Sequence, residues 1–115
     1  MFKLNFNFKT KNKDNNLIFI FDGELDKYAL SKHKFEINEL INNFNKDAII
    51  FDFEKLVYIN SESIGYLIQI NDFLKEKGIK FALVGVRKNV KDILNAIGIL
   101  EVIPSFNNYL EFINS

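Results

Sequence analysis

The chain has 115 residues, 48% of them hydrophobic, which suffices for one buried core and predicts one domain over residues 1–115. Fifteen basic and fifteen acidic residues give no net charge, which argues against a broad nucleic-acid footprint, and the lack of cysteine excludes disulfides, thiolate nucleophiles and cysteine-bound zinc. No apolar stretch approaches the ~20 residues of a membrane span and Met1–Phe8 is no signal peptide, so the expectation is a soluble, cytoplasmic chain with no membrane insertion.

Phe2, Leu4, Phe6 and Phe8 alternate with Lys3, Asn5, Asn7 and Lys9, the period of an edge strand with one wet face. Lys3, Lys9, Lys11 and Lys13 cluster here, but acidic residues follow soon after, so a solvated edge is favoured over a phosphate-binding arm. Thr10–Asn16 reads as a polar turn, and Leu17–Phe21 as a more buried strand leading into Asp22–Gly23–Glu24. From about Ala29 to Phe44, apolar Leu30, Ile37, Leu40, Ile41 and Phe44 recur at helical spacing.

Ala48–Phe53 is a β-rich apolar run, read as a central strand, from which Glu54–Tyr58 leads to a polar junction at Asn60. The next helix is expected to begin near Ser61 and stop near Gly78, burying Ile64, Leu67, Ile68 and Leu74. Lys80–Val84 follows as a strand and Asn89–Ile97 as a short helix closing near Gly98. Val102–Ile103 is read as a last strand before Pro104, with Ser105 capping a terminal helix that carries Leu110 and Ile113. The thirteen phenylalanines look like core stock. This order predicts an α/β fold with a mixed sheet and helices mainly on one face.

Few residues promise chemistry. Asp22, Glu24, Asp26, Asp52 and Glu54 lie near strand ends, where a metal or phosphoacceptor pocket would form, yet no adjacent acidic pair or placed cation completes one. His33 sits between Lys32 and Lys34 without a serine and acid in reach of the sequence, and is read as solvent-facing. Gly85 and Gly98 form no phosphate-cradling loop, and no cofactor is implied. Gly65 lies inside a helix, where it costs about 1 kcal/mol relative to alanine, either for close packing or for the approach of a partner backbone.

The junction carries more. Asn60 or Ser61 can cap the helix, and Glu62 in its first turn meets the positive end of the macrodipole. Capping alone explains these residues, while a serine-rich helix start is also where added phosphate alters partner binding.

Several segments together resemble the STAS domain, and within it the anti-sigma-factor antagonists. Gly23–Glu24–Leu25–Asp26 is similar to the family's turn after its second strand, and Asp52–Gly65 to its block of a strand, an Asp-Ser-Ser/Thr-Gly turn and a helix start. Gly78–Gly85 and Val90–Ile99 resemble the strand and helix that follow. The resemblance spans nearly the whole chain and implies a STAS-like mixed sheet of four to five strands with about four helices. It also implies a non-enzymatic switch, whose antagonist binds an anti-sigma factor that is also a serine kinase, becomes phosphorylated at the helix N-terminus, and is reset by a serine phosphatase.

On that pattern Asn60 takes the aspartate position, Ser61 the first serine, Glu62 the phosphoacceptor and Ser63 the glycine. The contact face implied comprises Asp26, Asn60, Ser61, Glu62, Ser63, Ile64 and Gly65. A carboxylate cannot form the serine ester and supplies about one negative charge where phosphate supplies nearly two. Glu62 is then a fixed mimic of the phosphorylated state, or Ser61 or Ser63 is the acceptor in a shifted register. A third reading is an interaction module outside sigma-factor control, such as a partner of lipid transporters.

Overall fold

A computed structural model describes residues 6–115; Phe2, Lys3, Leu4 and Asn5 of the expected first strand lie outside them. In chain order the elements are β1 (Phe6–Lys13), β2 (Asn16–Leu25), α1 (Lys27–Asn42), β3 (Ala48–Ile59), α2 (Ser61–Glu76), β4 (Lys80–Val84), α3 (Lys88–Ile97), a 3-10 turn (Ile99–Glu101), β5 (Ser105–Phe106) and α4 (Tyr109–Ile113). The five strands lie side by side in sequence order. β1 runs antiparallel to β2, and every later pairing is parallel, so the sheet is mixed as expected.

The β1–β2 connection is tighter than the polar run Thr10–Asn16 suggested. Both strands continue through that run, and only Asp14 (φ 53°) and Asn15 (φ 65°) turn. These residue types tolerate the left-handed conformation that a two-residue hairpin demands. β2 also overruns its expected end: Asp22–Gly23–Glu24 stays in the strand through two register shifts against β3, with Gly23 at φ 110°. β3 is longer again, running to Ile59. Its extension is braced from the α3 side, where Arg87 Nε donates to the Glu54 carbonyl (2.9 Å) and Asn89 Nδ2 to the Val57 carbonyl (3.0 Å). Gly85 permits this approach, because a Cβ there would lie 3.3 Å from the Glu54 Cβ, at φ +68°.

α1, α2 and α3 cover one sheet face over the main core. Its centre is an aromatic chain crossing the strands: Phe21 meets Phe51 at 4.7 Å and Phe51 meets Phe81 at 4.9 Å, both edge to face, with Phe8, Phe19 and Phe53 alongside. Phenylalanine is therefore core stock on this face, though not everywhere, since Phe35 and Phe73 are exposed. The opposite face is covered by α4, whose Tyr109 and Phe112 pack over Ile18, Ile50 and Val84.

The C-terminal expectations need correction. Val102–Ile103 forms no strand; it follows the 3-10 turn, and the parallel ladder starts one residue later, with Leu83 N–H donating to the Pro104 carbonyl (2.9 Å). Pro104 has no N–H to extend that ladder backwards. Ser105 belongs to β5, and the cap of α4 is Asn108, whose Oδ1 accepts from Glu111 N–H (2.8 Å) while Glu111 Oε1 accepts from Asn107 N–H (2.9 Å). Ile68, expected inside, is partly exposed, and Tyr66 and Ile70 take the buried stripe with Ile64, Leu67 and Leu74.

Candidate functional site: two helix starts side by side

β2 and β3 end in register, Leu25 opposite Ile59, and each passes through one residue into a helix. Asp26 and Asn60 thus become the caps of α1 and α2. Asp26 Oδ1 accepts from Ala29 N–H (2.9 Å) and Asn60 Oδ1 from Ser63 N–H (2.9 Å), each satisfying a donor the helix start leaves free. The two starts are bolted together. Asn60 N–H donates to the Leu25 carbonyl (3.2 Å), and the Ser63 hydroxyl donates to the same oxygen (3.3 Å).

Ser63 is consequently fully buried, and Ile64 beside it is an anchor in the core. As a shifted acceptor, Ser63 would have to release its only hydroxyl proton from this bond inside the protein. Ser61, Glu62 and Gly65 point the other way and are exposed, while Asp26 and Asn60 are half-buried. The buried pair Ser63–Ile64 therefore lies between exposed Ser61–Glu62 and exposed Gly65, as the 3.6-residue period of a helix allows. Gly65 has open space above it: a Cβ would meet nothing within 4 Å, which removes the close-packing explanation and leaves a bare turn of backbone facing outward.

The remaining candidates are not drawn into this site as a reaction centre. Asp52 uses its carboxylate locally, accepting from Glu54 N–H (3.0 Å), and among the described residues no three His, Asp or Glu side chains group to hold a metal ion. His33 is not simply solvent-facing: it is half-buried, with its ring edge-on to Phe6 (5.2 Å) and Phe8 (5.6 Å). Its pKa is lowered, by desolvation first and by Lys32 second, with Glu36 opposing. Two cavities, of about 1080 Å³ and 240 Å³, lie elsewhere, and neither is lined by Asp26 or by residues 60–65. The sequence reading missed Tyr28, in the first turn of α1 beside Asp26, which is 82% exposed; its signal was an aromatic out of phase with the buried stripe.

A mixed sheet in sequence order, with three helices on one face and two capped helix starts at the end of its parallel strands, defines a small α/β domain of the STAS type. A family model of the STAS domain matches residues 7–111, and the chain belongs to that family. The anti-sigma F factor antagonist of Paenibacillus polymyxa is 23% identical over 92 residues, which is 80% of this chain and 79% of that protein. An anti-sigma factor antagonist from Mycobacterium paratuberculosis shares the fold with a TM-score of 0.85 at 14% identity, over 96% of this chain and 92% of that one. The anti-sigma factor antagonist SpoIIAA in its unphosphorylated form does so with a TM-score of 0.78 at 19% identity, over 94% of both chains. The phosphorylated form of SpoIIAA from Bacillus gives 0.70 at 18%, over 94% of this chain and 97% of that one. Among the described residues, no helix is long and apolar enough to cross a membrane.

Proposed function

We propose that this STAS domain is a non-enzymatic regulatory binding protein of the anti-sigma-factor antagonist kind, docking on an anti-sigma factor of the serine-kinase type through the paired helix starts. The observation that carries this reading is the exposed rim of Ser61, Glu62 and Gly65 standing over a capped, hydrogen-bonded base. A rigid rim of this kind costs little entropy to dock, and its bare glycine lets another backbone approach. Asp26 adds a second carboxylate on the neighbouring helix start.

In this reading Glu62 holds a permanent negative charge at the position resembling the phosphoacceptor, so the domain sits in the weakly binding state that phosphate would otherwise impose. Ser61 is the exposed hydroxyl at the site, while Ser63 is buried. A photo-crosslinking residue at Gly65, with one at exposed Ile97 as control, tests the docking face in the native cell. The expected adduct at position 65 is an anti-sigma kinase, with Ser61 unmodified in the same sample; phosphate on Ser61 would instead make Ser61 the acceptor in a shifted register. Adducts to membrane transport subunits would support an interaction module outside sigma-factor control.

A further inference from the structure

The outer ridge of α1 carries two aromatics that the fold does not use. Tyr28 is 82% and Phe35 77% exposed, and their spacing of two helical turns puts them on one line along the helix. Side chains of this size are normally covered when they share a ridge.

The charges on the same helix run against its own dipole. Lys27 stands in the first turn and Lys32 in the first half, Glu36 and Glu39 in the second half, and there is no acidic residue in the first turn or basic one in the last. A helix acting alone is stabilised by the opposite order. Lys32, Glu36 and Glu39 are also unpaired, since the one ion pair among the described residues joins Lys88 to Asp92.

Both oddities resolve if the ridge meets its own antiparallel image. The midpoint of Lys27–Asn42 falls between Lys34 and Phe35, so a two-fold axis at Phe35 lies close to the helix centre, stacks Phe35 on its copy and brings each Lys32 within one residue's rise of the other chain's Glu39. Parallel pairing would set like charges together. Lys34, the remaining cation near the axis, is turned aside over the Tyr66 ring (5.2 Å). We propose that the exposed ridge of α1 is a homodimer interface, occupied by a second copy of this chain in antiparallel orientation, with Phe35 at the axis and Tyr28 at each end.

A single helix pair is a small interface, so the dimer depends on concentration and weakens with salt. Sedimentation equilibrium of the purified chain, up to about 1 mM, is the test. Expected is a monomer–dimer equilibrium whose Kd rises about a hundredfold or more in Phe35→Asp. Lys32→Glu and Glu39→Lys each raise it about tenfold, and the double exchange restores it to near the original value. Circular dichroism confirms that the variants fold; these positions are exposed, and the charge exchange supplies an independent reading of the same surface. A chain that stays monomeric throughout that range overturns the proposal. So does a dimer indifferent to Phe35→Asp, or one that the double exchange fails to restore.

Discussion

Ser63 is where the site is decided at the residue scale. Its hydroxyl and the Asn60 amide share one carbonyl, Leu25, so β2 is tied to the start of α2 by side chain and main chain together. Ser63→Ala removes one hydrogen bond while Leu25 O keeps another, a loss of about 1 kcal/mol. Ser63→Asp places an unpaired carboxylate in the same buried spot and is expected to cost about 3–5 kcal/mol, a contrast that urea unfolding measures directly. Gly65→Ala should behave in the opposite sense. Nothing obstructs the new methyl group, so the unbound protein gains about 0.8–1 kcal/mol in the same assay, while a partner that packs on the bare backbone binds less well. His33 adds a pH dependence. Its folded pKa is depressed below the unfolded value, so the unfolded chain binds the extra proton and stability falls as pH drops through about 6.5 and below. His33→Gln should flatten that part of the stability profile, and an unchanged slope would mean that the packing on Phe6 and Phe8 does not desolvate the ring.

At the scale of elements, α4 and the aromatic chain under the helices bear most on stability. Tyr109 ties α4 to the β1–β2 hairpin: its hydroxyl accepts from buried Asn16 Nδ2 (3.0 Å) and lies 3.0 Å from Asp14 Oδ2, to which it can donate. Tyr109→Phe strands the Asn16 amide and is expected to cost about 1–3 kcal/mol; pairing it with Asn16→Leu should recover part of the loss in a double-mutant cycle. Phe51, touched by rings from β2, β3 and β4, should cost about 3–5 kcal/mol as alanine. Most helices were legible because their buried stripes recur every turn, and the inner strands because they are short continuous apolar runs buried on both faces. The ends of β2 and β3 were not. What prolongs them is contact from afar, Arg87 and Asn89 bonding to β3 carbonyls and Gly85 making room, and none of that leaves a local pattern. The last strand was misplaced for a related reason: β-forming Val102–Ile103 precedes a proline whose carbonyl, rather than an amide, opens the ladder.

Across the whole molecule, the candidate site and the cavities lie apart. The larger cavity is lined by Asn16, Ala48 and Lys80, at the opposite ends of the parallel strands from the two caps. The place of the candidate site came from the resemblance, which aligned Asn60–Gly65 with a helix start, and α2 does begin at Ser61 with Asn60 as its cap. Its accessibility was not legible, because exposed Glu62 and buried Ser63 are neighbours in sequence, and which face of α2 each takes shows only once the helix is docked on β2, with the Ser63 hydroxyl bonded to the Leu25 carbonyl. On the proposed reading, Glu62 stands on the partner-binding rim as a fixed negative charge. The most direct test titrates the chain and its Glu62→Ser variant, side by side, against the cognate anti-sigma kinase. The serine variant is expected to bind about tenfold or more tightly before ATP is added and to lose that advantage on phosphorylation. Equal affinity of the two proteins, with the variant unmodified by the kinase, would contradict it.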